Sequence, residues 1–190
     1  NSNLPVTIKH RIGVDSNDTF SNLNSFVRDI NLAGADRFIV HARKAILKGL
    51  SPKENREMPP LDYGRAERLA RRRPDLDIIL NGGLIDKEMT IAALQPLGQV
   101  FAGVMLGRAA YKTPYQLGLF HQLFSQKTDP LDLQQVGRQM SDYAEQQMKS
   151  DVPLQAITRH MLGLCAGLKG ARAFRRSLSE MARMPGTDWT

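Results

Sequence analysis

Four polar clusters in this chain each follow a short apolar, β-rich run. Lys9, His10 and Arg11 follow VTI; His41 follows FIV; Asn81, Gly82 and Gly83 follow IIL; Gly107 and Arg108 follow VML. Cations at the ends of buried runs suit one chemistry above others, the stabilisation of negative charge where water is scarce. The glycines add a second capability. Without a Cβ, their backbone N–H groups can approach an anion closely, beside helix N-termini that favour negative charge. Metal chemistry is not expected, because His121 and His160 have no carboxylate at ligand spacing and the single cysteine, Cys165, forms no ligand cluster.

Those clusters need elements to bring them together. Val6 to Lys9, Arg37 to His41, Asp77 to Asn81 and Gly103 to Gly107 have the length and composition of buried strands. Helical segments separate them. Thr19 to Ala33 carries Phe20, Leu23, Phe26, Val27 and Ile30 at helical spacing, and Asp62 to Arg73 and Asp86 to Leu94 read similarly, with Asp86 as the N-cap of the last. Strands alternating with helices predict a parallel α/β sheet, whose C-terminal strand ends form one face. The four clusters therefore converge, although they are distant in sequence. After Pro114 strand character disappears, and Leu117 to Phe124, Leu131 to Lys149, Leu154 to Leu168 and Ala171 to Met184 all read as helices. This places a boundary near residues 125 to 130, giving a strand-bearing domain over 1–125 and a helical domain over 126–190.

Composition narrows the partners. The 190 residues carry a net charge of +7, which points to an anionic partner, nucleic acid or a phosphorylated ligand. No apolar run approaches the ~18 residues of a membrane span, and NSNLPV lacks the features of a signal peptide, so a cytoplasmic protein is expected. The connection from Ala42 to Pro60 holds five basic residues against two acidic ones, and the tail from Asp151 to Met184 holds six against two. Within the tail, Arg172 and Arg175 lie one helical turn apart and share a face. Arg65, Arg68, Arg71, Arg72 and Arg73 read instead as the solvated face of an outer helix. Cys165, between Leu164 and Ala166, reads as a small buried hydrophobe.

The motif order VTIKHR, FIVHARK, IILNGG and GVMLGRAAY resembles the second half of a tRNA-dihydrouridine synthase. Two longer segments, HARKAILKGLSPKENREMPPLDY and ITRHMLGLCAGLKGARAFRRSLSE, point to its A subfamily. The resemblance implies the second half of a TIM (β/α)8 barrel followed by an all-α domain. It also implies FMN as cofactor, NADPH as electron donor and tRNA as substrate, with uridine of the D-loop reduced to dihydrouridine. By matching positions, Lys9 and His41 are expected at the flavin ring, and Asn81, Gly82, Gly83, Gly107 and Arg108 along its ribityl phosphate. Lys53, Arg56, Arg172 and Arg175 match tRNA contacts. Arg11 is expected to line the pocket or the RNA surface.

The family's proton-donating cysteine belongs to an earlier strand, and Cys165 cannot replace it, so no catalytic residue is assigned here. A complete barrel takes roughly 250 residues. The chain is accordingly expected to be a C-terminal fragment, with open sheet edges that favour self-association. Two other readings stand beside this one: another FMN barrel such as a dihydroorotate-type dehydrogenase, and a non-catalytic fragment that binds tRNA or phosphate.

Overall fold

A computed structural model describes residues 4–97, 99–124 and 132–182. The chain divides into two compact units, Asn1–Gly107 and Arg108–Thr190. The boundary expected near 125 to 130 falls outside the described residues.

The first unit is a sheet of four parallel strands in the order β1-β2-β3-β4: β1 (Thr7–Arg11), β2 (Arg37–His41), β3 (Asp77–Asn81) and β4 (Gly103–Met105). Helices α1 (Phe20–Leu32), α2 (Tyr63–Arg72) and α3 (Lys87–Leu94) connect them. Their starts follow from side-chain caps. Thr19, Asp62 and Asp86 each accept a hydrogen bond from the backbone N–H three residues on, satisfying a donor the helix itself leaves open.

The period-two alternation of each strand separates its two faces. Phe38, Val40, Ile78 and Leu80 are buried, packed with Leu23 and Val27 of α1 and with Ala66, Leu69 and Ala70 of α2. Ile39 and Ile79, on the opposite face, are only half-buried. That second face carries Lys9 and Arg11 from β1, His41 from β2 and Asn81 from β3, with Arg11 opposite His41 and His41 opposite Asn81.

Two strand boundaries differ from expectation. β1 runs on through His10 and Arg11, because each pairs with β2, so Lys9 lies inside the strand and Arg11 at its end. β4 stops at Met105, short of Gly107.

His10 lies on the helix-facing side of β1. Its ring meets Phe26 and Phe38 edge-on at centroid distances of 5.2 and 6.0 Å. Its Nδ1–H donates to the Arg11 carbonyl at 2.9 Å, while Nε2 is buried without a partner. Burial holds the imidazole below the ordinary value of 6.5, the Arg11 carbonyl opposes that and the Lys9 charge adds to it. Below pH 6.5 the unfolded chain therefore takes up a proton here that the folded chain refuses, and stability falls with pH until the folded-state value is reached. Melting temperature should drop between pH 7.5 and 5.5, and His10→Phe, which keeps the ring contacts, should flatten that drop. Equal pH slopes for the two proteins would contradict this.

In the second unit every element among the described residues is a helix or a turn: α4 (Arg108–Lys112), α5 (Tyr115–Phe124), α6 (Leu133–Met148), α7 (Leu154–Thr158) and α8 (Ala171–Met181). The helix expected over Leu154 to Leu168 ends at Thr158, and a chain of turns follows. Gly167 and Gly170 take positive φ of 88° and 89°, and a Cβ at Gly163 would collide with the carbonyl of Lys112. These glycines let the chain turn tightly where apolar spacing alone suggested a continuous helix. Cys165 lies half-buried among the turns, where burial raises its thiol pKa.

Candidate functional site

The long connection between β2 and α2 organises the C-terminal strand ends. It leaves and returns at one point, since Ala42 N–H donates to the Asn81 carbonyl at 2.9 Å and the Ala42 carbonyl accepts from Asp62 N–H at 2.8 Å. In between, the loop lies along the segment after β1. Ala45 N–H donates to the Gly13 carbonyl and Asp15 N–H to the Ala45 carbonyl, both at 2.8 Å.

Three side chains then hold the loop's shape. Asn55 accepts from Ile46 N–H and donates back to the Ile46 carbonyl, both at 2.7 Å. Arg11 Nη1 donates to the carbonyls of Lys44 at 2.9 Å and Asn55 at 2.7 Å. Arg43 donates to the carbonyls of Glu57, at 3.3 Å, and Pro59, while its Nε is buried without a partner. The long basic connection is thus a hydrogen-bonded structure rooted on the end of β1. Arg11, expected to line the pocket or the RNA surface, is used in binding it.

The expected site residues divide by unit. In the first, Lys9 is exposed on the face opposite the core, and its ammonium is held below the ordinary lysine value by partial burial and then by repulsion from Arg11. Arg11 is lowered by burial, then by Arg43 and Arg56. Like charges crowded at one strand end raise the local potential for an anion. His41 is buried beside the turn that follows β3. Asn81 is also buried, and its Nδ2 donates to the Met105 carbonyl at 2.8 Å, tying β3 to β4.

Gly82 and Gly83 have φ of 108° and 71°. A Cβ on Gly82 would lie 2.5 Å from His41 Cδ2, and one on Gly83 2.5 Å from Leu61 Cδ1. The Tyr63 hydroxyl donates to the Gly82 carbonyl at 2.7 Å. Both glycines are therefore required by the chain's own packing. A Cβ on Gly107 would meet nothing within 4 Å, so that backbone remains open to approach. Lys53 and Arg56 are exposed at the short 3-10 turn Glu54–Arg56, which Ser51 and Glu54 cap reciprocally.

In the second unit, Arg108 opens α4 and is exposed. Arg172 and Arg175 are exposed on α8, where Arg176 is occupied with Glu180 at 3.0 Å. The structure brings His41, Asn81, Gly82 and Gly83 to one end of one sheet, with Lys9 on the same face but inside β1.

The roles of Asn55, Arg43 and Tyr63 are not legible in the sequence. Each acts through a partner 9 to 19 residues away, and no short motif records such spacing. No group of three or more metal-ligating side chains occurs among the described residues.

The cations of β1 and the open backbone at Gly107 suit an anionic ligand. A carboxylate nucleophile or a metal-bound water has no counterpart in the assembled group. The profile of the family described as dihydrouridine synthase matches residues 1–188. The tRNA-dihydrouridine(20/20a) synthase of Xanthomonas axonopodis pv. citri is 46% identical over 188 residues, which is 99% of this chain and 55% of the relative. Proteins of the same name from Pseudomonas putida and Shewanella oneidensis are 47% and 46% identical, over 92% and 96% of the chain and 51% and 54% of their own lengths. The chain spans about half the length of the curated relatives it matches.

Proposed function

The chain belongs to the dihydrouridine synthase family, and from that premise we propose that it supplies the second half of the barrel of a flavin-dependent enzyme that makes dihydrouridine in tRNA. The observation that carries this reading is the gathering of His41, Asn81, Gly82 and Gly83 at the C-terminal end of one parallel sheet, with Lys9 on the same face one residue pair further into β1. Parallel α/β barrels place their chemistry there. Fold, domain roles and site residues follow the same proposal. Residues 1–125 carry the cofactor side, residues 126–190 carry tRNA contacts, and a cytoplasmic location goes with the substrate.

The residues fit FMN on two features of the structure. Gly107 leaves a backbone that nothing within 4 Å of its missing Cβ obstructs, which suits the close approach of a phosphate. Lys9 brings a cation to the open sheet face, which suits a ring system that carries negative charge when reduced. A bound FMN would supply the hydride chemistry that amino-acid side chains lack, with NADPH as the electron source.

The chain's own residues do the rest. Lys9 stabilises negative charge without itself transferring a proton, a role that needs it charged. His41, packed under the Gly82 turn, fixes the floor of the site. Lys53 and Arg56 on the ordered loop, together with Arg172 and Arg175 on α8, meet tRNA. The target base must leave its stack to be reached.

Lys9→Ala tests the assignment in a chimera where this chain replaces the corresponding half of the Xanthomonas relative. Flavin content should be retained, because the glycine backbone remains, while bleaching of the flavin by NADPH slows by at least tenfold, corresponding to about 1.4 kcal/mol of lost charge stabilisation. Bleaching at the unsubstituted rate would remove Lys9 from this role.

A further inference from the structure

The arginine run of α2 is not uniformly a solvated face. Arg65 pairs with Asp62 at 3.1 Å, Arg71 with Glu67 at 2.8 Å, and Arg73 with Asp75 at 2.9 Å. Arg68 and Arg72 have no carboxylate partner among the described residues, and both are exposed. They share a face four residues apart, and with Arg71 they line a groove of about 620 Å³ between α2 and the first turns of α1. On its other side lie Phe20, Ser21 and Asn24.

Arg68 does not hang free in this groove. Its guanidinium lies 4.0 Å above the Phe20 ring centroid. A stacked guanidinium is held flat with its N–H edge still available, the geometry that engages a phosphate through two parallel hydrogen bonds. Lysine on the same helix would offer only a mobile point charge.

We propose that this groove is a second RNA-binding site, taking the phosphodiester backbone of the tRNA on the helix-covered side of the sheet, away from the strand ends. Neighbouring guanidiniums on one helix face match the repeated charge of a nucleic-acid strand, and the groove's apolar floor is already covered by Arg68, which disfavours insertion into lipid. The choice of RNA over an acidic peptide rests on the function proposed above.

The test is a salt titration of the chain's binding to an unmodified tRNA transcript by fluorescence anisotropy, with polyglutamate as a second probe and melting curves as controls. Arg68→Ala with Arg72→Ala removes two phosphate contacts, so the slope of log affinity against log salt should flatten by about 1.4 to 1.8. Arg68→Lys should keep the slope and still weaken binding, because the stacked fork is lost. Glu67→Gln frees Arg71 and should steepen the slope and tighten binding, which a structural role for these residues would not produce.

Wild-type affinity and slope in the double variant, with binding lost on Lys53→Ala and Arg56→Ala, would overturn the groove and leave the strand-end site standing. Groove-dependent binding of polyglutamate without binding of tRNA would overturn RNA in favour of an acidic peptide. Absence of tRNA binding altogether would overturn the groove as well, and the flavin content of the chimera reports separately on the proposed function.

Discussion

Gly82→Ala is expected to unfold the end of the sheet, while Gly107→Ala leaves the fold intact and removes affinity for a phosphate. At Gly82 two penalties coincide. A φ of 108° is strained for any side chain, and the new Cβ would lie 2.5 Å from His41 Cδ2 and 3.0 Å from its Nε2. His41 is itself buried and cannot withdraw into solvent. Backbone strain and overpacking each cost on the order of 1 to 3 kcal/mol, so a loss of about 3 kcal/mol is expected, a large share of a small domain's stability. Gly107 has open space where its Cβ would go. Denaturant melts of the two variants check the contrast. Equal stabilities would mean that the Gly82 turn is not the tight crossing described above.

Arg11→Ala should release the loop between β2 and α2 without unfolding the sheet. One guanidinium nitrogen bridges the carbonyls of Lys44 and Asn55, and Asn55 in turn closes the loop on Ile46. Hydrogen bonds from a charged donor contribute about 1.5 to 3 kcal/mol each, and Arg11 is only partly exposed. Amide exchange across residues 44–58 should therefore accelerate by about a hundredfold, with α1 and β2 unchanged. Limited proteolysis should cut first in the same segment. Unaltered protection would show that Arg43 and Asn55 hold the loop alone. Because Lys53 and Arg56 ride on this loop, the proposed tRNA contact should weaken with it even though Arg11 is not assigned to touch RNA.

The parts of this fold that were legible in the sequence are those governed by local pattern. β2 and β3 fall at Arg37–His41 and Asp77–Asn81 as the length and composition of these apolar runs predict, since one face of each is buried under helices. Thr19, Asp62 and Asp86 start helices because a short oxygen-bearing side chain caps the first turn. Features set by distant partners were not legible. The end of β1 depends on pairing with β2. The tail's turns depend on glycines whose left-handed conformation the apolar spacing hides. The arginine run of α2 reads as uniform until its carboxylate partners are known, and only then do Arg68 and Arg72 stand apart from the others. At the candidate site, residue types identified the strand-end polar groups. Packing showed that Gly82 and Gly83 are glycines for the chain's own sake, while Gly107 stays open.

Whether the chain serves in dihydrouridine formation is tested most directly by the dihydrouridine content of tRNA from a bacterial strain whose own tRNA-dihydrouridine(20/20a) synthase is deleted and replaced by the chimera. Dihydrouridine should be restored by the chimera, lost on Lys9→Ala, and reduced on Arg172→Ala with Arg175→Ala at unchanged flavin content. A chimera that folds and retains flavin yet restores no dihydrouridine to the tRNA would contradict the proposed function.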